Sequence, residues 1–149
     1  MSIRLITNPS ELNDVQGQAF VPTMGALHAG HCSLIQAAAA AGLPVLVSIF
    51  VNPAQFAPEE DFDCYPRALD TDLQAAEAAG AATVFAPNVA TIYPADEPVW
   101  DPPLPEVATR PHLEDAHRPH FFGGVCRAVA RLLDLLQPAS LMLGEKDYQ

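Results

Sequence analysis

The sequence predicts an α/β domain built on a parallel sheet with crossover helices. Three observations carry this. Short apolar, β-branched runs alternate with longer stretches of helix formers along the chain. Glycine or proline punctuates nearly every boundary. Val45–Val51 (VLVSIFV) is apolar almost throughout, the mark of a strand covered on both faces.

The elements follow in order. After a polar start, Ala19-Phe20-Val21 reads as a strand end closed by Pro22. His31 to Ala41 is rich in helix formers and stops at Gly42, with Pro44 behind it. The strand Val45–Val51 is ended by Asn52-Pro53. Asp70 to Ala79 is a second helix with Gly80 as its stop, and Ala82 to Ala86 a strand ended by Pro87. From Pro94 to Pro119 prolines recur too often for long regular elements, so this stretch is an excursion with room for short edge strands. Val125, Val129, Leu132, Leu133 and Leu136 then share one face of a helix, with Arg127 and Arg131 on the other. Pro138 stops it, and Ser140 to Leu143 is the last strand. The order is that of a Rossmann-like parallel sheet.

Composition narrows the function classes. The chain has 149 residues, and ~150 residues suffice for one domain with a real core. Seven basic residues face eighteen acidic ones, a formal net charge of −11. That excludes the clustered Lys and Arg of a nucleic-acid or anionic-membrane surface. No run approaches the ~18 apolar residues of a membrane span, and MSIRLITNPSEL has no secretory signal pattern. Cys32, Cys64 and Cys126 are odd in number and widely spaced, so neither a disulfide framework nor a zinc site is expected. A reducing cytoplasm is the expected compartment. Only one lysine occurs, Lys146.

Ligands of such sheets bind beyond the carboxyl ends of the strands. The first strand end continues as Met24-Gly25-Ala26-Leu27-His28-Ala29-Gly30-His31. Its glycines allow close backbone approach, and the helix that follows offers unpaired N–H groups and a positive dipole end. His28 and His31, at i and i+3, fall on one side of a first helical turn, a good grip for a polyphosphate. Two backbone-satisfied histidines, or half of a metal site, are the competing readings. The second strand end carries Gln55, able to orient a hydroxyl or carboxylate, or else a plain turn residue. Glu59 to Asp63 reads as a solvated loop. Asp72 reads more simply as a helix N-terminal charge than as a metal ligand. The last strand ends in Gly144-Glu145-Lys146-Asp147, where the lone ammonium suits phosphate oxygens unless it merely pairs with Glu145 or Asp147. Three motifs at three strand ends converge on one rim. They predict a mononucleotide site, with ATP the favoured ligand, and leave the acceptor open.

At these residues the sequence resembles the pantothenate synthetase (pantoate–β-alanine ligase) family of the nucleotidylyltransferase superfamily. The resemblance lies in VPTMGALHAGHCSLI, VSIFVNPAQF, EEDFDCYPRALDTD, VFAPNVATIYP and LLQPASLMLGEKDYQ, together Val21 to Gln149. It implies that pantoate attacks ATP, with Mg²⁺, to give pantoyl adenylate and pyrophosphate. β-Alanine then displaces AMP to give pantothenate. Carried over by position, Met24 to His31 form one ATP segment, His31 matching the proton donor and His28 its phosphate-binding companion. Gln55 matches the glutamine that contacts pantoate and β-alanine. Gly144, Glu145, Lys146 and Asp147 match a second ATP segment. A homodimer is implied as well.

The sequence departs from the family in three places. Arg118-Pro119-His120-Phe121-Phe122 has Phe121 where the family's histidine is common, leaving Arg118 as a pantoate contact. The segment between Pro9 and Ala19 is short. Family members run close to twice this length, so residues 1–149 are expected to be an incomplete, truncated N-terminal nucleotide-binding domain without the C-terminal lid domain. The alternative is a catalytically weak or inactive fragment that binds ATP and pantoate.

Overall fold

The computed structural model describes residues 2–53, 68–95, 103 and 121–144, and of Phe121 and Phe122 the backbone alone. Strands β1 (Arg4–Ile6), β2 (Ala19–Thr23), β3 (Val45–Ile49), β4 (Thr83–Phe85) and β5 (Ser140–Leu141) form one sheet in the order β1-β4-β3-β2-β5. Every neighbouring pair is parallel. The helices are α1 (Ala29–Ala40), α2 (Leu69–Ala79), the short α3 (Val89–Ile92) and α4 (Phe121–Leu136), with a 3₁₀ turn at Pro9–Glu11. The predicted α/β class and parallel sheet hold.

The apolar runs are explained by a core on each side of the sheet. Successive strand residues face opposite ways, so Phe20, Leu46 and Phe85 join Leu132 and Leu136 in one layer. Val21, Val47 and Val84 join Ile35, Ala38 and Ala76 in the other. Small residues let α1 and α2 approach closely in that second layer. A Cβ built on Gly80 would lie 3.2 Å from the Cβ of Ala39. Gly80 also ends α2 in the left-handed region at φ 110°, its N–H bonded to the carbonyls of Ala76 and Glu77.

Several expectations change in detail. Pro22 lies inside β2 and does not close it. The carbonyl of Phe20 accepts from Met142 N–H on the β5 side, so Pro22, two residues on, turns its missing donor toward β5 just past the paired residues. Helix α1 starts at Ala29, two residues earlier than expected, because His28 caps it. The strand at 45–51 ends at Ile49, and that at 140–143 ends at Leu141. The polar start holds β1, which pairs with β4 and places Ile6 in the core. On α4 the buried stripe runs Gly124, Ala128, Leu132, Leu136, with Val125 and Val129 only half-buried. Arg131 does not face solvent alone: it donates to the carbonyl of Thr91 at 3.2 Å, tying α4 to α3. Of the proline-rich stretch only Pro94, Ala95 and Pro103 are among the described residues.

Candidate active site

The carboxyl end of β2 begins the site. The hydroxyl of Thr23, its last residue, donates to the carbonyl of Ser48 at 2.8 Å and accepts from Gly25 N–H at 3.1 Å. The chain then turns through two left-handed residues, Gly25 at φ 83° and Ala26 at φ 52°. Gly25 is demanded twice over, because a Cβ there would also lie 3.0 Å from Oδ2 of Asp72 and 3.1 Å from Cγ2 of Ile49. The N–H groups of Ala26 and Leu27 donate to the two carboxylate oxygens of Asp72, at 3.0 and 2.9 Å. Asp72 is 3 % exposed, and these two bonds compensate its buried charge.

The histidines start α1 between them. Nδ1 of His28 accepts from Gly30 N–H at 3.0 Å, and Nδ1 of His31 accepts from His28 N–H at 3.1 Å. This is a capping box with imidazoles in place of the usual hydroxyl and carboxylate. A nitrogen that accepts from N–H must keep its lone pair, so each neutral ring carries its proton on Nε2. The rings lie 3.9 Å apart between centroids, tilted by 32°. Gly30 makes room for them: a Cβ there would come within 2.8 Å of Cε1 of His28. No acidic residue stands in the first turn of α1, so its positive end is left to attract an anion.

Beside this loop, the end of β3 is fastened by Asn52, which is 1 % exposed. Its amide donates to the carbonyl of Gly124 at 2.9 Å and accepts from the Tyr93 hydroxyl at 2.7 Å. A cleft of about 360 Å³ opens at this rim, lined by Met24, Gly25, Phe50, Asp72, Asn88 and Val89 among others. Gly144 follows β5, which is parallel to β2, and so stands at the same rim. The structure thus brings together Met24 to His31, with Gly144 beyond the neighbouring strand. Gln55, Glu145, Lys146, Asp147, Arg118, His120, the acidic loop 59–63, and the side chain of Phe121 lie outside the described residues. Among the described residues no group of three or more His, Cys, Asp and Glu side chains could hold a metal ion. Each oxygen of Asp72 accepts one of the backbone N–H groups of Ala26 and Leu27, so its carboxylate binds the turn rather than only standing at the start of α2. Thr23, Asn52 and the loop contact of Asp72 were not predicted; only the Thr23 turn had a local signal, a hydroxyl two residues before a glycine.

A parallel sheet whose second strand feeds a histidine-capped helix defines an α/β domain of the nucleotidylyltransferase type. The chain belongs to the pantoate-beta-alanine ligase family, whose model matches residues 3–149. It is 55% identical over 130 residues to a bifunctional pantoate ligase/cytidylate kinase of Parasynechococcus marenigrum, covering 87% of this chain and 26% of that protein. The pantothenate synthetase of Thermus thermophilus superposes with a TM-score of 0.89 at 40% identity, over 98% of this chain and 53% of the other. A pantoate-beta-alanine ligase of Francisella tularensis, solved with beta-gamma ATP and beta-alanine, gives 0.81 at 36% identity, over 94% and 56%. The chain therefore spans about half the length of these solved relatives. Among the described residues, no helix is long and apolar enough to cross a membrane.

Proposed function

We propose that this chain supplies the nucleotide site of an ATP-driven ligase that joins pantoate to β-alanine. In the first step a pantoate carboxylate oxygen attacks the α-phosphorus of ATP, and the bond to the β-phosphate oxygen breaks. Pantoyl adenylate forms and pyrophosphate leaves. In the second, the β-alanine amine attacks the acyl carbon, the bond to AMP breaks, and the ammonium proton passes to solvent. Pantothenate and AMP are the products.

The observation that carries this reading is the His28–His31 pair: two imidazoles whose Nδ1 atoms accept from the backbone, at the positive end of α1, on the rim where the strands end. Phosphoryl chemistry asks for positioning and for neutralisation of the charge that develops on the phosphates. His31 is assigned to protonate or hydrogen-bond the departing pyrophosphate, with His28 on the phosphates beside it. Lys146, within Gly144–Asp147, adds the compact cation, and Gln55 holds the two acids. Membership of the family and the ATP and beta-alanine complex of the Francisella relative support these roles. Mg²⁺ is assigned to the substrate, entering on the triphosphate. Residues 1–149 form the nucleotide-binding part, in a cytoplasmic homodimer.

The test is pantoate-dependent exchange of labelled pyrophosphate into ATP by the protein that carries this chain. Exchange is expected, and His31→Ala should slow it by about 10²-fold or more. No exchange above background, or a near-native rate in the variant, would count against the reading.

A further inference from the structure

We propose that Asp72 is a positioning residue that clamps the Gly25–Leu27 turn and thereby sets the histidine pair; this rests on the nucleotide role given to Met24–His31. The consecutive N–H groups of Ala26 and Leu27 point into one concavity, the kind of backbone cradle that can receive an anion. Here Gly25 and Ala26 make the turn, and the protein's own carboxylate fills the concavity. Ala26 at φ 52° holds a conformation that its Cβ disfavours, so something outside the loop must maintain it. Asp72 is the described group that does so. It is 3 % exposed, spends both oxygens on this turn, and reaches it from α2, some forty-five residues away. Gly25 lies so close beneath it that a Cβ would meet Oδ2 at 3.0 Å. Without the carboxylate, Ala26 relaxes toward negative φ, and His28, two residues on, leaves its place at the start of α1.

A helix-dipole role or a cation-binding role for Asp72 would give different results from a clamp. Gly in place of Ala26 enters the left-handed region without strain, so it should repair loss of the clamp and nothing else. In the protein that carries this chain, Asp72→Ala should raise the KM for ATP at least tenfold in pyrophosphate exchange, with the KM for pantoate within twofold. The double variant Asp72→Ala/Ala26→Gly should recover most of the loss seen in Asp72→Ala, with Ala26→Gly measured in parallel as its reference. Asp72→Asn keeps one acceptor and should fall between. A double variant no better than Asp72→Ala, or an unchanged KM for ATP in Asp72→Ala, overturns the clamp. A second readout needs no activity: amide exchange at residues 26 and 27 should quicken at least tenfold in Asp72→Asn, while that of Val47 stays put. Unchanged exchange at 26 and 27 also overturns it. Absence of pyrophosphate exchange in the parent defeats the ligase reading alone, and the amide measurement still decides the clamp.

Discussion

His28 and His31 each spend one ring nitrogen on the backbone, and that divides their stability role from their chemical one. Gly30→Ala separates the two. The added Cβ, 2.8 Å from Cε1 of His28, forces the ring away and removes a cap worth about 1 kcal/mol. Alanine regains up to ~1 kcal/mol of helix propensity, so the melting temperature should barely move. ATP affinity should still fall at least tenfold by calorimetric titration. A farther residue shows the charge balance at the N-terminus. Arg4 donates to both oxygens of Asp14, at 2.8 and 2.9 Å, and chiefly through this hydrogen bonding holds that carboxyl below its usual range. A folded-state pKa below the unfolded value stabilises above the ordinary carboxylate pKa of ~3.9 and loses its effect as pH falls through the lowered value. Both side chains are well exposed, so the effect on stability is small. Arg4→Ala should return the Asp14 titration, followed by NMR, to the ordinary range.

Among the elements, α4 and the α1–α2 pair show how each layer is held. Leu132 is 3 % exposed in the layer beneath α4, and Leu132→Ala should cost about 2–4 kcal/mol in chemical denaturation. Gly80 is strained by any side chain at φ 110° and is close-packed on Ala39. Gly80→Ala should therefore destabilise by about 1 kcal/mol or more, against the usual helix preference for alanine. Elements that announce themselves locally were legible in the sequence: Gly80 as a stop, Val45–Val47 as a two-sided strand, His28 and His31 between strand and helix. Those that depend on distant partners were not. In β1 only Ile6 is buried, and the strand exists because β4 pairs with it from nearly eighty residues away. Asp72 looks like any acid near a helix start until the fold brings Ala26 and Leu27 to it. Asn52 likewise gains its role only from Gly124 and Tyr93.

For the whole molecule, the sheet order sets a gradient of stability. Val21, Val47 and Val84 on the three inner strands are wholly buried, whereas β5 is exposed along its two residues. Amides of the inner strands should exchange with solvent only through global unfolding, and those of β5 sooner, by native-state hydrogen exchange. Because all the strands run the same way, the molecule has two unlike rims. The loop of Met24 to His31, the Asn52 fastening and Gly144 stand on one. The turns through Gly17 and Gly42 stand on the other, and among the described residues a Cβ at either would meet nothing within 4 Å. Among the described residues that second rim is open, so a short segment spliced in at Gly42 should lengthen the chain while leaving the His28–His31 cap, a full strand length away, in place.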